Sequence, residues 1–239
     1  MKIIVDTPEN IAKMAAERYV TLLNKKPDAV LGLATGSTPL GLYGEIVKLY
    51  NEGKISFAKA KSFNLDEYVG LDGTHDQSYR YFMNENLFSK VDINPDETHV
   101  PGGKGDIAEN AKEYEEMIAA AGGIDMQLLG LGQNGHIGFN EPGTPLASVT
   151  HEIELTANTR EANARFFASI DDVPTHAISM GIKSVMNAKS IILIALGKNK
   201  AEAVAKSVKG EVDVMVPASV LQLHPDVTFY LDAEAASLL

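Results

Sequence analysis

The chain has 239 residues, of which 45% are hydrophobic and 22% charged, and a formal net charge of −11. That length suits one large domain or two small ones with a sizeable core, and the acidity disfavours nucleic acid or an anionic membrane as a partner. The absence of cysteine rules out disulfides and thiolate metal sites.

The opening "MKIIVDTPEN" holds no long apolar segment and meets an acid by position 6, so it does not read as a signal peptide. No stretch approaches the roughly 20 apolar residues of a bilayer span, and the expected location is the cytoplasm. "KIIV" is a short strand. Ile11, Met14, Ala15, Tyr19, Leu22 and Leu23 then recur at helical spacing. "AVLGLA" (29–34) predicts a strand. "TPLGLYGEIVKLYNEG" predicts a helix with Thr38 as N-cap, Pro39 in the first turn and Gly53 near the end. "KSFNL" (61–65) is a strand, and "DQSYRYFMNENLF" and "DIAENAKEYEEMIAAAGG" are helical. Further strands are expected at "DMQLLGLG" (125–132), "EIEL" (152–155), "SIILIAL" (190–196) and "VTFYL" (227–231), with "NKAEAVAKSVKG" as a late helix. The alternation predicts a single α/β domain over residues 1–239. Its sheet is expected to be Rossmann-like, open and mostly parallel, with helices on both faces.

In such sheets ligands bind beyond the carboxyl ends of the strands. Three loops qualify. "TGSTP" runs from a strand into a helix, where free N–H groups and the helix dipole favour a phosphate. Gly36 allows close backbone approach, and Ser37 and Thr38 add hydroxyls. The stretch is neither a P-loop nor a dinucleotide fingerprint, and it also reads as a plain strand–helix turn. In "SFNLDEYVGL", Asp66 follows a buried strand, where a carboxylate serves as a general base or simply caps a turn. "GLGQNGHIGFNEPG" (130–143) surrounds His136 with glycines at 130, 132, 135 and 138. Those glycines cost conformational entropy. They fit either a sharply bent structural turn or a backbone lying against a ligand. A histidine side chain is suited to moving protons near neutral pH, so His136 can do so here; Glu141 can orient it, and Asn134 can hydrogen-bond beside it. No HxH or HExxH spacing supports a metal site.

Together with "TREANARFF", "ALGKNKAEAV" and "PASVLQLHPDVTFYLD", these stretches resemble the glucosamine-6-phosphate deaminase family across nearly the whole chain. The resemblance implies aldose–ketose isomerisation and deamination of glucosamine 6-phosphate to fructose 6-phosphate and ammonia, with no metal, nicotinamide or pyridoxal cofactor. By position it implies Asp66 as the base of the enolisation step. It makes His136 the acid/base of sugar-ring opening, completed by Glu141 and Asn134. It implies a phosphate site built from Gly36, Ser37, Thr38, Arg165 and Lys200. Segment 151–185 becomes a lid over the sugar. Position 134 is Asn where some members carry Asp. Members activated by N-acetylglucosamine 6-phosphate carry basic residues where this chain has His151 and Ile153, and this chain ends early. An unregulated monomer or small homo-oligomer is therefore expected. Two alternatives are a 6-phosphogluconolactonase-type hydrolase and a sugar-phosphate-sensing binding domain. The latter would need a DNA-binding segment, for which there is no spare length.

Overall fold

The computed structural model describes residues 1–164 and 167–239, with the backbone alone at 158, 162 and 163. Seven strands form one sheet: β1 (Lys2–Val5), β2 (Val30–Leu33), β3 (Lys61–Asn64), β5 (Thr98–His99), β6 (Met126–Leu129), β9 (Ile191–Ala195) and β10 (Val227–Leu231). Their order is β1-β10-β9-β6-β2-β3-β5, and every pairing is parallel. β2, β6, β9 and β10 are buried along their whole length. Such strands read as continuous apolar runs because both faces are covered. Six of the predicted strands and the α/β class agree with this sheet; β5, two residues long, was not predicted.

Helices α1 (Pro8–Lys25), α2 (Leu40–Asn51), α3 (Tyr79–Asn86), α4 (Ile107–Ala120), α5 (Ala157–Asn163), α6 (Ile182–Met186) and α7 (Ala201–Lys209) complete the fold. α1 shows why they start where they do. Thr7 caps it by accepting from the Asn10 N–H, Pro8 occupies the first turn, and Ile11, Ala15, Tyr19 and Leu23 bury one stripe.

A second, smaller sheet was not visible in the apolar pattern. It joins β4 (Asp66–Tyr68), β8 (His176–Ser179) and β7 (His151–Glu154) in the order β4-β8-β7, all antiparallel. The predicted strand near 152–155 belongs here, and its alternating exposure marks a sheet with one covered face. The chain crosses from one sheet to the other at Leu65. The Leu65 N–H donates to Leu33 O in the large sheet, and Leu65 O accepts from the Met180 N–H beside β8.

The strand order reverses between β2 and β6. From β2 the chain moves outward to β3 and β5, then returns across β2 to β6, β9 and β10. A crevice at such a switch point is where open α/β sheets bind ligands.

Candidate active site

A cavity of about 250 Å³ opens at that point. Its lining includes Gly36, Ser37 and Thr38 after β2, Asp66 and Tyr79, residues 130–134 with His136 and Gly138 after β6, Thr159 on α5, and Lys200 at the start of α7. Three loops far apart in sequence therefore meet in one place. Of the expected site residues, Gly36, Ser37, Thr38, Asp66, Asn134, His136 and Lys200 line the cavity. Glu141 stands behind His136. Arg165 lies outside the described residues.

Thr38 is not the helix cap expected. α2 begins at Leu40, its cap position is Pro39, and no side chain accepts a hydrogen bond there. Proline fixes the entry angle but has no side-chain acceptor. The first turn thus keeps N–H groups that no side chain caps, and Ser37 and Thr38 line the cavity. Gly36 has φ +86, a backbone conformation that L side chains rarely adopt, which explains its place in the turn.

Asp66 opens β4 rather than lying in a solvated turn. It is paired with Ser179 of β8 and is 7% exposed. Burial pushes its carboxyl pKa up, and the neighbouring Glu67 charge pushes it further, to about 8. Glu67 points away into its own bonds. Its carboxylate accepts from the backbone N–H groups of Tyr68, Tyr79 and Arg80 at 2.8, 2.9 and 3.0 Å, and so holds the start of α3. Two adjacent carboxylates thereby take different jobs. One caps a helix, and the other, which forms no ion pair among the described residues, stands at the cavity wall.

The 130–143 loop earns its glycines one by one. A side chain at Gly132 would collide with the His136 ring. Gly135 has φ +86, and a Cβ there would meet Val216 Cγ1 at 2.8 Å; Gly138 has φ +57, and a Cβ there would meet Ser179 Oγ at 3.0 Å. The loop is pinned to the small sheet from below: the Phe139 N–H donates to Ser179 Oγ, and buried Asn140 donates to Ile137 O and Met180 O. Asn140 is a structural strut that the sequence pattern did not distinguish from its neighbours.

His136 Nδ1 stands 3.5 Å from Glu141 Oε1, an ion-pair rather than a hydrogen-bond distance. Burial raises the Glu141 carboxyl, but the nearby His136 imidazole and the hydrogen bonds from Thr159 and Asn134 outweigh it and hold the pKa low, at about 2. Asn134 explains its own chemistry. Its Nδ2 donates to Glu141 Oε2 at 2.6 Å, while its Oδ1 accepts from the His136 N–H at 3.2 Å. An Asp here would set a second negative charge against Glu141. Tyr79, Gln133 and Thr159 also line the cavity and carried no sequence signal, since each sits in an ordinary helical or loop context. Among the described residues no group of three His, Asp or Glu side chains is placed to hold a metal ion.

Residues 6–229 match the family model described as glucosamine-6-phosphate isomerases/6-phosphogluconolactonase. The chain belongs to this family. It is 51% identical to a glucosamine-6-phosphate deaminase of Thermoanaerobacter pseudethanolicus, over 100% of this chain and 95% of that one. It is 52% identical to one of Clostridium perfringens, over 99% and 98%. A solved structure of a monomeric glucosamine-6-phosphate deaminase superposes with a TM-score of 0.98 at 45% identity, covering both chains fully. A 6-phosphogluconolactonase of Trypanosoma brucei shares the fold, with a TM-score of 0.79, at 20% identity. Within the family the chain therefore stands with the deaminases. Among the described residues no helix is long and apolar enough to cross a membrane.

Proposed function

We propose that this chain is a glucosamine-6-phosphate deaminase, converting glucosamine 6-phosphate and water into fructose 6-phosphate and ammonia. The observation that carries the reading is one cavity shared by a buried carboxylate, Asp66, and a histidine, His136, backed by Glu141. Half the residues match named deaminases along the full length, which supports it.

The geometry divides the work. His136 moves protons between the C1 hydroxyl and the ring oxygen, so that the sugar opens. Glu141, held low and ionised, orients the imidazole and steadies its charged form. Asn134 fixes Glu141 without adding charge. Asp66 in its ionised form removes the C2 proton, and its raised pKa makes it a stronger base than an exposed aspartate. The proton returns at C1 and leaves an imine at C2. Water adds there and ammonia departs. Gly36, Ser37, Thr38 and Lys200 anchor the phosphate, with Arg165 assigned beside them by the resemblance. The anchor breaks no bond; it supplies binding energy that fixes C1 and C2 against Asp66.

In this reading residues 1–239 act as one domain, as a monomer or small homo-oligomer in the cytoplasm. The resemblance assigns the lid to segment 151–185. Lid closure excludes water from the reaction. The test is direct: purified protein with glucosamine 6-phosphate is assayed for ammonia and fructose 6-phosphate, beside an assay of 6-phosphogluconolactone hydrolysis. Lactone hydrolysis without ammonia release would overturn the reading.

A further inference from the structure

We propose that Thr159 is a positioning residue of the ring-opening group, whose hydroxyl fixes Glu141 against His136 and makes assembly of that group depend on the seating of α5. The inference rests on the deaminase reading above.

Thr159 is buried, and its Oγ1 donates to Glu141 Oε1 at 2.5 Å. The direction of that bond is set by chemistry. An ionised carboxylate is acceptor-only, and the Thr156 hydroxyl supplies a hydrogen to Thr159 Oγ1 at 3.1 Å. A chain of hydroxyls thus runs Thr156, Thr159, Glu141 and ends at the carboxylate that faces His136. Thr156 is also the N-cap of α5, accepting from the Thr159 N–H at 3.3 Å. The relay and the helix cap therefore use the same atoms. α5 cannot shift without moving the donor on Glu141.

The contact matters because His136 has little else. Its Nδ1 is buried and, among the described residues, makes no hydrogen bond; its approach to Glu141 Oε1 is the 3.5 Å ion-pair distance. The Glu141 carboxylate is held by Asn134 on one oxygen and Thr159 on the other. With both donors present the carboxylate plane is fixed. With Asn134 alone, Oε1 is free to swing from His136. A hydroxyl in a helix more often bonds to the backbone of the preceding turn. Here it turns into the cavity instead.

Thr159→Val keeps the shape and removes the hydroxyl, and Thr159→Ser keeps the hydroxyl. Both are compared with the wild type on glucosamine 6-phosphate and on the same substrate deuterated at C2, with melting temperatures recorded. The Val variant is expected to lose about 10-fold or more in kcat, the scale of one hydrogen bond to a charged group. Its KM should stay near wild type, since the phosphate anchor is untouched. Its deuterium isotope effect on kcat should lie at about 1, because ring opening, not C2 proton removal, then limits turnover. The Ser variant should recover most of the loss. A Val variant with wild-type kcat, or a slowed one whose isotope effect stands above 1, overturns the inference and leaves Thr159 as a packing residue of α5. Should the Val variant melt out, Thr159→Ala carries the same expectations. Wild-type protein that releases no ammonia would remove the deaminase reading itself, which separates the two failures.

Discussion

Two neighbouring carboxylates show how residue-scale environment assigns roles. Asp66 and Glu67 are adjacent and both buried, yet Glu67 accepts three backbone N–H groups and Asp66 faces the cavity. Asp66→Asn should lose roughly 10²–10⁴ in kcat, the worth of one general base, while retaining affinity for a sugar phosphate. Near wild-type turnover would reduce Asp66 to a wall residue. The same substitution should raise stability at alkaline pH. Folded Asp66 keeps its proton up to about pH 8, whereas the unfolded chain loses it near pH 4. Stability from this group is therefore full below about pH 4 and falls as pH rises to about 8, by up to roughly 6 kcal/mol. The melting-temperature gain of the Asn variant should be clear at pH 8 and absent at pH 4. The proposed mechanism needs the ionised form, so kcat/KM of the wild type should climb with pH through an apparent pKa near 8. Glu67→Gln removes the charge that adds to the burial effect, so that limb should move to lower pH. A limb that stays put or moves up would show that the Glu67 charge does not act on Asp66.

At the scale of elements, the roles proposed for the loop after β6 and for the start of α7 make separable predictions. The loop folds back on itself so tightly that the His136 ring occupies the space a side chain at 132 would need. Gly132→Ala should therefore displace the ring and cut kcat at least about 10-fold, with KM altered little, as expected for a group that acts on the reacting atoms and not in ground-state binding. A variant that loses affinity but not kcat would contradict this. Lys200 sits at the N-cap position of α7 and lines the cavity. Lys200→Ala should weaken binding of glucosamine 6-phosphate by roughly 1.5–3 kcal/mol, and of unphosphorylated glucosamine far less. Competition measurements with both sugars would decide it; equal losses would take Lys200 out of the phosphate site.

For the whole molecule, regulation is the property most exposed to test. His151 and Ile153 lie on β7, the edge of the small sheet. The groove beside His151 is lined by Lys112, Glu115, Glu116 and Glu152. Lys112 is already shared between Glu109 and Glu116. The balance there is acidic, which repels a phosphate. An activator works only through unequal affinity for two states, and this groove offers a sugar phosphate little affinity in any state. Saturation with glucosamine 6-phosphate should be hyperbolic with or without N-acetylglucosamine 6-phosphate. A sigmoidal curve made hyperbolic by the acetylated sugar would mean an effector site elsewhere.

The α/β class, six of the seven strands of the large sheet and the three ligand loops were legible in the sequence alone; β5, only two residues long, was not. Continuous apolar runs and helical periodicity are local signals, and a parallel sheet covered on both faces writes them strongly at β2, β6, β9 and β10. The small sheet was not legible as a unit. β4 is three residues long and mostly polar, and it pairs with β8 more than a hundred positions later. Its existence depends on long-range hydrogen bonds that leave no period in the chain. Asp66 was visible as a carboxylate after a strand, but its burial and raised pKa come from that pairing. Likewise His136 and its glycines drew attention by composition, whereas Thr159 did not. A threonine in a helix looks the same whether it faces solvent or Glu141, and only the packing of α5 over the cavity decides which.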